Sequence, residues 1–117
     1  MIPPRLAAHM RIEALKRLTQ GAGGFATVVK KGDAVSGAIL VIRTIRGGQN
    51  TVLERISNLD GSAHWQEIWT DNAADIANKG ELSAYLARRG TQDPDLWAIE
   101  LDVANAAQLD AILGQCD

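Results

Sequence analysis

Apolar residues recur at two different spacings along this chain, and each spacing predicts its own kind of element. Helical spacing predicts a first helix over Arg5–Gln20, which the glycines of Gly21–Gly24 bring to an end. The same spacing predicts helices over Glu81–Arg89 and Ala104–Leu113. The chain therefore begins and ends in helices and carries one more between them.

Between the helices, alternating or β-branched stretches predict five strands. They are Phe25–Lys31, Ala38–Arg46, Thr51–Asn58, His64–Trp69 and Leu96–Val103. Short turns join the first four strands, and short connections favour antiparallel neighbours. We therefore predict a single α+β domain over residues 1–117, with a mainly antiparallel sheet of about five strands and helices packed on one face. The other face would be solvated or would meet a second copy of the chain.

The loop Gly47–Asn50 predicts a register for the central hairpin. If this loop is symmetric, Arg43 lies opposite Glu54, and the flanking pairs are Ile45 with Val52 and Val41 with Ile56. Arg43 and Glu54 would then pair as opposite charges across the two strands. The other register would move every side chain of the hairpin to the other face.

The three tryptophans receive two different interpretations. Trp97 alternates with Ile99 and Leu101, so we predict that it is a core residue. Trp65 and Trp69 are expected to share one face of their strand. They either cover the edge of the sheet, pack beneath the segment Asp71–Asn78, or form an exposed aromatic platform for a partner chain or ligand.

A basic helix end followed by an acidic turn is the most unusual feature of the chain. Arg88 and Arg89 precede Gly90, which suits a helix stop, and Asp93 and Asp95 follow within a few residues. Ion pairs between these residues would make the corner structural. The alternative is an enzyme site or a small-anion site in which the two guanidinium groups bind a carboxylate or phosphate.

Composition and charge narrow the function classes. The chain has 117 residues, 46% of them hydrophobic and 22% charged, with a net charge of −2. This charge provides no general attraction to nucleic acid or to an anionic membrane. One cysteine, Cys116, leaves no disulfide framework, and no apolar run is long enough to cross a bilayer, so we expect a cytoplasmic protein.

Motifs for catalysis and for cofactors are missing from the sequence. His9 and His64 are far apart, so no metal-binding pair is visible, and we expect no cofactor. The glycines of Gly21–Gly24 follow a helix and precede a strand, which is the reverse of a phosphate-binding loop. We therefore lean towards a protein that is not an enzyme.

Three arginines near the central hairpin suggest a nucleic-acid surface as a further alternative. They are Arg43, Arg46 and Arg55. Strand alternation places Arg43 and Arg46 on opposite faces, which weakens the case for one continuous basic surface.

Several local patterns together resemble a bacterial family known as domain-of-unknown-function family 1491. The most specific is the block Asp93–Glu100 after an arginine-ended helix. The looser ones are Ala14-Leu15 with the glycine stop, Phe25–Val29, Lys31–Asp33, Ser36–Val41 and Tyr85–Arg88. The resemblance implies a small cytoplasmic single-domain protein of the α+β kind, and it supplies no activity, cofactor or catalytic residue. The last helix, Ala104–Leu113, departs from the charged tail expected of the family.

The leading hypothesis from the sequence is a small, soluble, non-catalytic binding or interaction domain that associates with itself. A homodimer would form through a sheet face or a sheet edge. The candidate binding residues are Trp65, Trp69, Arg88, Arg89, Asp93 and Asp95.

Overall fold

Five strands form one sheet in the computed structural model, which describes residues 7–70 and 79–116. The elements are α1 (Ala8–Gly21), β1 (Phe25–Lys30), β2 (Ile39–Ile45), β3 (Asn50–Ser57), β4 (Ala63–Thr70), α2 (Lys79–Gln92), β5 (Trp97–Val103) and α3 (Ala106–Cys116). The sheet order is β1-β5-β2-β3-β4, and only β2 and β5 pair in parallel. The predicted α+β class and the mainly antiparallel five-stranded sheet are confirmed. The expected helix start at Arg5 lies outside the described residues.

The two central strands, β5 and β2, carry buried apolar residues on both sides because both faces of the sheet are covered. In β2, Val41 faces a core beneath α1 and α3 that includes Leu15 and Leu109. Its neighbours Leu40 and Ile42 face a second core beneath α2. One detail therefore differs from our expectation: helices cover both faces, because a strand with apolar side chains on both sides needs apolar cover on each of them.

The central hairpin has a different register from the predicted one. Arg43 pairs with Thr51, and Glu54 pairs with Leu40, so the predicted pairing of Arg43 with Glu54 is wrong. The two side chains lie on opposite faces of the sheet. The predicted partners Ile45 with Val52 and Val41 with Ile56 are wrong for the same reason.

The turn of this hairpin explains the register. Arg46 and Gly47 both have positive φ, 50° and 74°, and the Gly48 N–H donates to the Ile45 carbonyl at 2.9 Å. Two successive positive φ values are typical of the tight turns that suit hairpins. The tight turn spans residues 45–48, two residues earlier than the loop 47–50 that we assumed to be symmetric. As a result the partner of Arg43 is Thr51, three residues before Glu54. An odd shift exchanges the two faces.

An irregularity in β4 separates the two tryptophans that we expected on one face. Val52 pairs with Trp69, but the next residue, Leu53, pairs with Glu67, so Ile68 is the extra residue of a bulge. Trp65 packs against the core beneath α1 and α3, whereas Trp69 packs against the core beneath α2. The expectation of a shared face is wrong, because a bulge breaks the two-residue period of the strand.

Helix α2 continues past the glycine at which we expected it to stop. It ends at Gln92, and the Asp93 N–H still donates to the Arg89 carbonyl at 2.9 Å. A Cβ on Gly90 would lie 2.9 Å from Cε of Lys30. The glycine therefore permits a close approach of a side chain instead of terminating the helix.

Trp97 is a core residue, as predicted. Its side chain is 5% exposed, and its indole Nε1 donates to the Asp33 carbonyl at 2.6 Å. Gly37 lies against this ring: a Cβ there would lie 2.8 Å from Trp97 Cδ1 and would overlap the Asp95 carbonyl. The loop before β2 therefore packs directly on the start of β5.

Candidate functional site

The predicted basic–acidic corner separates into two groups of residues in the structure. Arg89 Nη1 donates to the Tyr85 hydroxyl at 3.0 Å, and Nη2 donates to Glu54 Oε2 at 2.9 Å. Asp93 Oδ1 instead accepts from the Asp95 backbone N–H at 3.2 Å. The Arg89 guanidinium is thus directed to β3, and Asp93 stabilises its own turn.

Burial and hydrogen bonding shift the pKa of the Arg89 guanidinium in opposite directions. Partial burial acts to lower its pKa, but the hydrogen bonds to Tyr85 and Glu54, together with the charge of Glu54, outweigh burial and raise the pKa. Arg88 is exposed, and its guanidinium carbon lies 5.9 Å from the centroid of the Tyr85 ring. The two arginines therefore flank one tyrosine instead of forming a fork towards solvent.

Trp69 belongs to the same group of side chains as the arginines. Its ring stacks on Tyr85 with 5.6 Å between centroids and 23° between planes. Trp65 is half-buried on the other face of the sheet. The structure brings Trp69 together with Arg88 and Arg89 around Tyr85, and it places Trp65 elsewhere.

The three arginines near the central hairpin occupy three different environments. Arg43 Nη1 lies 3.4 Å from Glu67 Oε1, and Nη2 donates to Thr51 Oγ1 at 3.2 Å. Arg46 is exposed in the turn, and Arg55 lines a cleft beside α1. Nucleic-acid binding by these three residues stays the weaker hypothesis, because they do not form one patch.

The cleft that contains Arg55 lies between the start of α1, residues 35–38 and the end of β3, and we call it the α1–β3 cleft. It has a volume of about 490 Å3. Arg11 of α1 lines it together with Arg55 and Ser57 of β3. Arg11 is 7% exposed, so a cationic side chain forms part of a mostly buried wall. Sequence reasoning did not find this cleft, since α1 and β3 are far apart along the chain.

The free edge of β1 is a second surface that the sequence did not single out. Among the strands of the described ranges, 7–70 and 79–116, β1 pairs only with β5. Phe25 is 74% exposed, Val29 is 50% exposed, and Val28 is also exposed. An exposed apolar edge strand is a surface on which another strand can pair.

Lys30 ends β1 with a role that its sequence neighbours do not reveal. Its Nζ donates to the carbonyls of Pro94 and Leu96, both at 2.9 Å. A lysine at the end of an alternating strand ordinarily points to solvent, so only the tertiary contact identifies this one as a tie between β1 and the turn before β5.

No group of three potential metal ligands occurs within residues 7–70 and 79–116. No helix in the described part of the chain is long and apolar enough to cross a membrane. The Cys116 side chain lies outside the described residues.

Solved structures of other proteins resemble the fold of this chain. A comparison with curated proteins, in contrast, found no significant match. The crystal structure of a DUF1491 family protein from Caulobacter crescentus is similar to the chain, with a TM-score of 0.73 and 30% identity over 86% of this chain and 91% of that one. An NMR structure of a DUF1491 family protein from the same organism has a TM-score of 0.67 and 31% identity over 83% and 84% of the two chains. A solution structure from A. tumefaciens has a TM-score of 0.69 and 28% identity over 91% and 92%.

The family model agrees with these structural relatives. The model described as protein of unknown function (DUF1491) matches residues 6–110, which include every strand and the first two helices. The resemblance inferred from the Asp93–Glu100 block and the looser patterns is confirmed. The chain belongs to the DUF1491 family of proteins of unknown function.

Proposed function

We propose that this chain is a small interaction domain that associates with itself by antiparallel pairing of β1 with β1 of a second copy. The observation that carries the proposal is the exposed apolar edge of β1, where Phe25 is 74% exposed and Val29 50% exposed. An edge strand presents unpaired backbone N–H and C=O groups, and pairing with another strand satisfies them while it covers the apolar side chains.

The other edge of the sheet is less suited to pairing. Strand β4 has exposed polar residues, His64, Gln66 and Glu67, and a bulge at Ile68. Charged side chains and bulges are common means of blocking edge-to-edge association. On β1 the register shift falls at the far end, between Val28 and Lys30, and leaves the first residues of the strand regular.

The charges at the two ends of β1 favour a second copy as its partner. Lys31 is exposed just after the strand, and Phe25 at its start pairs with Asp102 of β5. Antiparallel pairing brings the Lys31 end of one copy beside the Phe25–Asp102 end of the other, so opposite charges approach twice across the two-fold axis. Of the two routes to a homodimer expected from the sequence, the edge is favoured, because α2 packs on the second face of the sheet.

The proposal also covers the kind of organism and the cell compartment to which the protein belongs. We infer a bacterial, cytoplasmic protein with a binding role instead of a catalytic one. The support is the bacterial source of the similar structures and the single cysteine in the sequence.

The test is the oligomeric state of the full chain over a range of concentrations. Sedimentation equilibrium of the wild type should show a weak, concentration-dependent dimer, since one pair of short strands buries less than the roughly 1,200 Å2 of stable interfaces. Phe25→Lys should be monomeric at the same concentrations. The matched control is Leu59→Lys, since Leu59 is fully exposed between β3 and β4, and this variant should dimerise like the wild type.

Circular dichroism of each variant checks that the fold is intact. A wild type that stays monomeric at millimolar concentration would contradict the proposal. A folded Phe25→Lys variant that dimerises as strongly as the wild type would contradict it equally.

A further inference from the structure

We propose that the α1–β3 cleft binds a small organic anion, a carboxylate or a phosphate monoester, with Arg11 and Arg55 as its cationic ligands. The two arginines come from different elements, α1 and β3, and line one cleft. Guanidinium groups bind carboxylate and phosphate oxygens in pairs of parallel hydrogen bonds.

Burial of Arg11 gives one cation in the wall of the cleft a fixed position. The residue as a whole is 7% exposed, and it already interacts with other groups of the protein. Each guanidinium carries five N–H donors, so it can bind an anion and keep its other contacts within the protein. A buried arginine on a helix is also held in place by its neighbours, which reduces the entropy lost on binding.

The wall opposite Arg11 supplies a second cation and a hydroxyl on one strand. Arg55 and Ser57 are two residues apart on β3, so they lie on the same face of the sheet. The Ser57 hydroxyl is a hydrogen-bond donor for the same ligand oxygens. Arg55 is half-buried, so it remains reachable from solvent.

Asp33, in the loop that leads to the cleft residues Val35 and Ser36, is hydrogen-bonded within that loop. Asp33 Oδ2 accepts from the backbone N–H groups of Val35 and Ser36 at 3.0 and 2.8 Å, and from the Ser36 hydroxyl at 3.1 Å. These bonds lower the pKa of Asp33 and direct its charge onto its own loop.

The size and the apolar part of the lining indicate an organic ligand. About 490 Å3 falls within the range of about 300–1,000 Å3 that is typical of small-molecule sites. Ala8, Val35 and Ile39 also line the cleft, and Val35 is 70% exposed at its rim. These apolar groups can contact a hydrocarbon part that inorganic phosphate lacks.

Three probes separate the ligand classes: inorganic phosphate, phenyl phosphate and benzoate. Each is titrated into the full chain at constant ionic strength, and NMR chemical shifts and the melting temperature are recorded. We expect saturable shifts for residues of the cleft and a rising melting temperature by mass action. Phenyl phosphate or benzoate should bind more tightly than inorganic phosphate, and the better of the two identifies the head group.

Arg55→Gln is the decisive variant, because Arg55 is less buried than Arg11 and its replacement should leave the fold intact. Its affinity for the best probe should fall about tenfold or more, since charge-assisted hydrogen bonds are lost. Arg17→Gln is the matched control, since Arg17 is an exposed arginine of α1 outside the cleft, and it should bind like the wild type. Arg11→Lys, which keeps the charge but not the paired geometry, should also weaken binding.

Three results would overturn this assignment: no saturable shift with any probe, unchanged affinity in Arg55→Gln, or shifts located around Arg88 and Arg89. The last result would move the anion site to the corner described above. The cleft and the β1 edge share none of the residues named for them, so a monomeric Phe25→Lys variant should bind the probes as the wild type does.

Discussion

Arg89 on α2 donates a hydrogen bond of 2.9 Å to Glu54 on β3, and this contact ties the helix to the second face of the sheet. The two side chains are 25% and 22% exposed. A pair shielded to this degree should interact with an energy near the upper end of the range of about 0.2–1 kcal/mol that is typical of exposed pairs.

We predict that a double-mutant cycle on Arg89→Gln and Glu54→Gln gives a coupling energy of about 1 kcal/mol in urea unfolding. The same cycle on Arg43→Gln and Glu54→Gln should give a coupling near zero, because these two side chains lie on opposite faces of the sheet. A larger coupling for the second pair than for the first would show that the register described here is wrong.

Truncation of Trp97 should lower the free energy of unfolding more than truncation of any other aromatic residue. Because its ring is buried and its Nε1 donates to the Asp33 carbonyl, Trp97→Ala should lower the free energy of unfolding by about 3–5 kcal/mol. Trp97→Phe keeps an aromatic ring but leaves the partly buried Asp33 carbonyl without its donor, so it should cost about 1–3 kcal/mol. If Trp97→Ala unfolded in urea at a midpoint close to that of the wild type, the assignment of Trp97 to the core would be wrong.

Asp33 should make part of the stability depend on acid pH. Hydrogen bonds from the Ser36 and Val35 backbone N–H groups and the Ser36 hydroxyl hold its pKa below the ordinary value of 3.8. A carboxyl whose pKa is lower in the folded state stabilises the fold above its unfolded pKa, and this contribution is lost as the pH falls through the folded pKa.

We therefore expect Asp33→Ala to melt at a lower temperature than the wild type at pH 7, and the part of the difference due to ionisation to shrink below about pH 4. Asp110→Ala, a change at an exposed position of α3, is the control and should shift the melting temperature little at pH 7. A gap between Asp33→Ala and the wild type that stays constant from pH 7 to the acid limit would contradict the assignment.

Periodicity along the chain was sufficient to predict the helices and strands, but not to predict which residues of neighbouring strands pair. The helices, the strands and the core position of Trp97 follow from local spacing, because a side chain's place on its own helix or strand depends on its near neighbours. The Arg43 register and the shared face of Trp65 and Trp69 failed at two local irregularities, the positive φ of Arg46 and the bulge at Ile68. Neither irregularity can be recognised reliably from a single sequence. One is a positive φ at a residue other than glycine, and the other is an extra residue within an otherwise regular strand.

The sequence by itself determined the α+β class, the order of elements and the family, since these depend on hydrophobic period, turn chemistry and the Asp93–Glu100 block. Only the tertiary structure decided which charges meet. Arg89 finds Glu54, Lys30 reaches the carbonyls of Pro94 and Leu96, and Arg11 comes to line one cleft with Arg55. Such contacts join residues far apart in the chain, and long flexible side chains have no preferred partner until packing sets the distances between their backbones.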